Sequence, residues 1–330
     1  MTDKIGWIDN LRAVACMMVV LIHSTTYYIT AGGAPGDVHW DVANILNSAS
    51  RVCVPLFFMI SGYLFFGERS ARRKHFTRVG LCILFYSAIA LIYIAALTPI
   101  NPLNAVRQVL QKPIFYHLWF FYAIAVIYLF SPLIRVKPAP GKYLAIFIVV
   151  LAAIANPNTG SVEFAGVKLL PVNLYIYGDT FYYLLYAVVG RALGMLDIPR
   201  RVALAAIPLF ILCVLLVAIG TKHHTLLNDN FTQLFYIYCG PLVFLAAVSL
   251  LAIFKRWMNH RVWPGLALIS RHSLAIYGFH ALIIHYLRTH DMAISTRPLL
   301  DIFYIFIVAL LSSLLLSMAL QKIDTRRLVS

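Results

Sequence analysis

Apolar runs alternate with short polar stretches along the whole chain, at 9 to 29, 44 to 66, 79 to 99, 114 to 134, 143 to 155, 179 to 196, 203 to 219, 233 to 254, 265 to 287 and 300 to 320. Most approach the roughly 20 helical residues that cross a hydrocarbon core. The pattern predicts an all-α polytopic membrane protein, a bundle of about ten transmembrane helices, in a single domain over 1–330. No Ser/Gly-rich linker, low-complexity tract or convincing repeat divides it. The longest polar interval, 156 to 178, opens with the turn-forming NPN and reads as an outer loop.

Composition agrees with that placement. The chain is 62% hydrophobic and 12% charged, with mean hydropathy +0.83, far from the roughly 25% charged residues of soluble domains. The net charge of +15 raises the question of nucleic acid, but the basic residues are scattered over short loops with no soluble domain to present them. Seventeen lysines and arginines, from Lys4 to Arg327, fall in loops on the side of the N-terminus, against six on the other side: Arg107, Lys112, Lys168, Lys222, Arg288 and Arg297. That bias puts both termini in the cytoplasm. The apolar stretch from Ala13 to Ile29 is longer than a signal-peptide core and reads as an uncleaved first helix. The five cysteines lie singly in apolar segments without metal-ligand spacing, as small buried hydrophobes do.

Four arginines, Arg12, Arg51, Arg191 and Arg271, remain within or at the ends of apolar segments and need polar surroundings. Arg12 and His23 stand out. Eleven positions at about 100° and 1.5 Å each return to the same face within about 20° and set the two groups about 16 Å apart along the axis. Ionisable residues within a membrane point by default to a functional site. Asp9, Arg12, Cys16 and His23 follow one stripe, with Asp9 able to pair with Arg12 and His23 deeper, as a neutral ring able to take a proton. An interhelical structural hydrogen bond is the alternative for His23.

Other segments supply partners. In ISRHSLAIYGFH, Ser273, Tyr277 and His280 share a helix face, for substrate binding or for interhelical bonds, while His285 belongs elsewhere. His117, opening HLWFFY near the outer end of its segment, is either an acceptor contact or an interfacial histidine beside Trp119. Arg51 lies mid-helix before VPLFFMISGYLF, where Ser61 and Gly62 permit close helix approach. The inner loop GERSARRKHFTR is dense in cations, and Arg69, Arg72, Arg73 and Arg78 are candidate phosphate forks for an anionic donor. The aromatic run Tyr175 to Tyr186 reads as an interfacial belt or a sugar contact.

Taken together, WIDNLR, the Arg12–His23 spacing, PLFFMISGYL, the basic stretch ending at Arg78, HLWF and SLAIYGFH resemble the membrane acyltransferase-3 family over essentially the whole chain. The resemblance implies acetyl-CoA as co-substrate, no metal, and a saccharide or lipid-linked saccharide hydroxyl as acceptor. Arg12 and His23 match the family's essential pair. Many members carry two inner-loop arginines three residues apart; here the best-aligned positions read His75 and Arg78, while Arg69 and Arg72 show the spacing in another register. The expected protein is thus a multi-pass enzyme of a bacterial inner membrane, with membrane lipid around it, no nucleic acid partner, and a homo-oligomer left open. Its catalytic set is His23, Arg12 and Asp9. His23 acts either as general base or as a transiently acetylated nucleophile. Two other classes stay open: an exporter of a lipid-linked saccharide, and a structural partner in an assembly complex.

Overall fold

The structure, a computed structural model, describes residues 5–294 and 296–330; Lys4, counted above among the inner cations, lies outside them. Helices dominate: α1 (Gly6–Thr30), α2 (Val38–Ser50), α3 (Cys53–Phe65), α4 (Arg73–Leu97), α5 (Pro102–Arg107), α6 (Trp119–Phe130), α7 (Gly141–Ile148), α8 (Asp179–Met195), α9 (Arg200–Leu227), α10 (Pro241–Trp257), α11 (Pro264–Thr289) and α12 (Pro298–Ile323). Among the described residues seven segments are long and apolar enough to cross a membrane, α2 and α3 counting as one. Proline stands in the first turn of α10, α11 and α12, where its missing N–H costs no helical bond.

Three sequence expectations change. The second apolar run is two helices, because Pro55 cannot donate to the Arg51 carbonyl four residues back and its ring crowds that group. Arg51 therefore sits at a helix junction, not mid-helix. The fifth run is an α-turn pair continued by a π-helical stretch, Val149–Ile154; those 14 residues rise only about 21 Å, short of the hydrocarbon thickness. The long loop holds an antiparallel hairpin, β1 (Val162–Phe164) with β2 (Val167–Leu170), turned by Gly166 at φ +77°, a conformation glycine enters freely.

At the centre lies α1, touching α2, α3, α10, α11 and α12. Asn10 fastens its start to the chain before α11, donating to the carbonyls of Met258 and Arg261 at 2.8 Å each. Beside α1, α3 and α8 approach backbone to backbone: a Cβ at Gly62 would overlap the Ala187 carbonyl, and one at Gly190 the Met59 carbonyl. The glycine of SGYL thus serves packing. The aromatic run divides: Tyr175 and Tyr177 are exposed, whereas Tyr182 and Tyr186 are buried in the core, Tyr186 stacking on Phe244 at 4.2 Å.

The segments expected inside gather at the end where α1 begins. Val136 N–H donates to Phe66 O (3.0 Å), Lys255 to Gly194 O (2.7 Å) and Arg78 to Ser330 O (3.0 Å). We call this the basic end.

Candidate active site

From the basic end a cavity of about 750 Å³ runs between α1, α3, α4, α6 and α11. Polar residues line its mouth: Asp9 and Arg12 from α1, His75 and Arg78 from α4, Ser270 and Arg271 from α11, with Arg327 and Ser330 from the chain after α12. Its depth is apolar, walled by Phe57, Ile60, Phe120, Phe121 and Ile124, and it reaches Tyr277. A second cavity of about 570 Å³ shares Asp9, Arg12, Leu64, Phe65 and His75 with it and adds Arg69, Ser70, Arg72 and Lys74. A molecule with an anionic head and a slender apolar arm fits such a sequence of walls.

Arg12 is held at the mouth. Its Nη1 donates to Asp9 Oδ1 at 3.2 Å, and Ser270 Oγ donates to the same oxygen at 3.2 Å, so Asp9 ties α1 to α11 while fixing the guanidinium. Asp9 has no place near His23. Arg12, turned toward Asp9, lies about 16 Å along the axis from His23.

His23 is half-buried among aromatic rings from other helices: Tyr116 and His280 each lie 5.2 Å from it between centroids. His117 joins through His280, 5.3 Å away. The short 3₁₀ turn Tyr116–Leu118 before α6 carries His117 inward, so this histidine is buried, not interfacial. Tyr277 bridges cavity and cluster, its ring 5.5 Å from His117 and 5.8 Å from His280, its hydroxyl donating to the His117 carbonyl. The cavity's walls include Tyr277 but not His23; the tyrosine ring is the step between them.

Arg51 faces the same centre. Its Nε donates to Asn47 Oδ1 at 2.8 Å, and Asn47 in turn donates to Ile22 O (3.1 Å) and Thr25 Oγ1 (2.9 Å) on α1. The guanidinium lies 4.1 Å over the Tyr236 ring and 5.6 Å over that of Tyr238. Arg51, carried by a junction that Pro55 creates, is thus tied through Asn47 to the turn of α1 that bears His23, and Asn47, four residues before it, is the residue that sequence reasoning passed over.

Of the remaining candidates, Ser273 lines the cavity two turns short of the histidines and spends its hydroxyl on Ser270 O (2.9 Å). Arg69 and Arg72 border the second cavity and Arg78 the first. Arg73 borders neither: as the first residue of α4 it is exposed, rotated about 100° from Arg72, and its neighbour Lys74 takes the lining position. His75 accepts from Arg72 N–H at 2.8 Å and so caps α4. Arg271 and Arg327 were not foreseen as a pair, because one lies within α11 and the other follows α12, far apart in sequence. His285 accepts or donates to Tyr93 at 2.6 Å on the α4 side, as its angle on the helix requires. Among the described residues no group of His, Cys, Asp and Glu is placed to hold a metal ion.

The family model described as an acyltransferase domain (Acyl_transf_3) matches residues 5–321. Two enterococcal proteins share part of the chain: a serine/alanine racemase of Enterococcus gallinarum, 32% identical over 133 residues, covering 36% of this chain and 18% of that protein, and an amino-acid racemase of Enterococcus faecalis, 28% identical over 134 residues, 37% and 18%. The chain thus spans under a fifth of the length of these curated relatives. No solved structure matches. By a match over nearly its whole length, the chain belongs to this acyltransferase family, and it is a multi-pass membrane protein.

Proposed function

From that membership we propose that this membrane acyltransferase is an acetyl-CoA-dependent O-acetyltransferase of the bacterial inner membrane, with both termini cytoplasmic and ten spans, seven of them full-length and the others, the fifth run among them, short. Its acceptor is a sugar hydroxyl of a surface polysaccharide or its lipid-linked precursor, an amino sugar of the enterobacterial common antigen type. The observation that carries the reading is the continuous path from a cationic mouth, through an apolar neck, to a tyrosine in contact with a histidine cluster.

In this reading Arg69, Arg72, Lys74 and Arg78 receive the donor's phosphates, Arg12, fixed by Asp9, holds the base of its arm, and the aromatic neck takes the arm. The thioester passes Tyr277 to meet His23. His23 accepts the proton of the sugar hydroxyl as that oxygen bonds to the thioester carbonyl carbon. Arg51 opposes the negative charge that develops on the carbonyl oxygen. The C–S bond then breaks, and the departing thiolate takes the proton from His23, which restores the neutral ring. The residues balance the reaction without a covalent intermediate.

The test is mass spectrometry of the polysaccharide from cells lacking this chain, complemented with wild type or His23→Ala, with the variant's membrane level checked by immunoblot. Wild type restores the acetyl mass and His23→Ala does not. Full acetylation by a well-expressed His23→Ala protein overturns the base assignment, and transport of intact saccharide without ester formation replaces the enzyme reading by an exporter.

A further inference from the structure

Beside His23 stand two histidines whose protonation pattern is fixed by backbone carbonyls. His280 directs Nδ1 at the carbonyls of Ile276 (3.1 Å) and Tyr277 (2.8 Å). A carbonyl only accepts, so Nδ1 carries the hydrogen and Nε2 of the neutral ring is left with its lone pair. His117 directs Nε2 at Gly278 O, 3.1 Å away, which by the same logic leaves the lone pair on Nδ1. Both of these nitrogens, His280 Nε2 and His117 Nδ1, are buried and without a hydrogen-bond partner. The side chains belong to residues only 0% and 2% exposed. Buried polar groups are nearly always satisfied, and exceptions in a site ask for an explanation.

The hydroxyls of Tyr277 and Ser273 are already spent. Tyr277 donates to the His117 carbonyl and Ser273 to Ser270 O. Neither lone pair meets a donor of the protein, so both are open to an incoming one, and the rings that bear them form a chain from His23, 5.2 Å to His280 and 5.3 Å on to His117.

We infer that His280 and His117 form a two-point acceptor subsite that receives hydroxyl or amide N–H donors flanking the reacting hydroxyl of a polyol. The inference rests on the acetyl-transfer reading above and adds its specificity: mono-alcohols and ethers leave one or both nitrogens unpaired, whereas a sugar ring fills both and thereby sets its free hydroxyl against His23. These are positioning residues, distinct from the base itself.

The experiment uses the full chain in lipid nanodiscs with acetyl-CoA as donor, methyl N-acetylglucosaminide as acceptor, and the monodeoxy analogues of that glycoside. Losing a hydroxyl that pairs with one of the histidines should lower wild-type kcat/KM by about 5- to 150-fold. His280→Phe and His117→Phe keep a ring and remove the lone pair. Each should raise the sugar KM, and for each one deoxy analogue should then be used within about twofold of the parent glycoside, the non-additivity that marks a direct contact. The Gln variants, which restore an acceptor, should recover part of the loss. Losses that simply multiply between variant and analogue overturn the subsite and leave the transfer reading standing, as does equal wild-type use of every analogue, the result expected if a buried water fills both nitrogens. Failure of wild type to acetylate any glycoside while still binding acetyl-CoA overturns the transfer reading and this subsite with it. Should the Phe variants fail to bind coenzyme A, nitrogen NMR of ring-labelled histidines in the wild type decides: lone-pair signals that do not move on adding the parent glycoside overturn the subsite.

Discussion

Arg12 and His23 of the first helix have separate neighbours. Arg12 meets Asp9 at 3.2 Å, and Asp9 is braced by Ser270, so the guanidinium is set before any ligand arrives. Arg12→Ala should raise the KM for acetyl-CoA by about 10- to 150-fold, the range for a hydrogen bond to a charged group, with a smaller rise for Asp9→Asn; steady-state kinetics at fixed acceptor reads both. His23→Ala should lower kcat by about 10²- to 10⁴-fold, the usual share of a general base, with acetyl-CoA binding retained. Cys16, whose thiol reaches only the Ser273 carbonyl at 3.7 Å, should tolerate replacement by alanine with kcat/KM within about threefold, a loose contact of this kind being worth little.

Helices decide which of these residues can meet. Because α3 and α8 touch through Gly62 and Gly190, the wall that carries Phe57, Ile60 and Ser61 into the cavity is set by two missing side chains. Gly190→Ala should destabilise the protein by about 1 to 3 kcal/mol, the cost of overpacking a tight contact, visible as a lower thermal midpoint in detergent. Gly80→Ala on α4, where nothing lies within 4 Å of the added carbon, should be neutral or slightly stabilising, since alanine suits helices better. The α2–α3 junction is the other decisive element. Without the interruption at Pro55, Arg51 would be one more turn of a continuous helix. With it, Asn47 can hold Arg51 and the Ile22 carbonyl of α1 at once.

Across the whole molecule, the chain after α12 folds back over the cavity mouth. Asp324 accepts the backbone N–H groups of Leu328, Val329 and Ser330 at 2.8 to 2.9 Å, Tyr86 donates to Val329 O at 2.6 Å, and Arg327 and Ser330 line the cavity. Partial burial alone raises the Asp324 pKa, yet those three donors outweigh it and hold the carboxyl below its ordinary value. A lowered folded-state pKa means that the docking is at full strength above the ordinary carboxylate range and weakens as pH falls through the lowered value. Limited proteolysis should therefore find the segment after α12 protected at neutral pH and more readily cut in acid, and Asp324→Ala should be cut readily at both. Topology is tested at the same scale: in intact cells a membrane-impermeant thiol reagent should label Glu163→Cys and not Lys74→Cys, the five native thiols being buried.

Much of this protein was legible in one dimension. Hydropathy alone marks long apolar segments, because lipid requires every spanning backbone to satisfy its own hydrogen bonds. Helical periodicity placed Arg12 and His23 on one face, and Ser273, Tyr277 and His280 on another, for the same geometric reason. Local chemistry also carried the proline that splits α2 from α3, though not its consequence for Arg51. What only the tertiary structure decided is distance between segments. His117, expected either as an acceptor contact or at an interface, lies against a histidine 163 positions later because a 3₁₀ turn brings the chain inward; Arg73 turns away while Lys74, Arg271 and Arg327 take the lining. The lone pairs of His117 and His280 are fixed by carbonyls of the packed α11, information no spacing contains. Periodicity is a property of one helix, and a site is a property of how several meet.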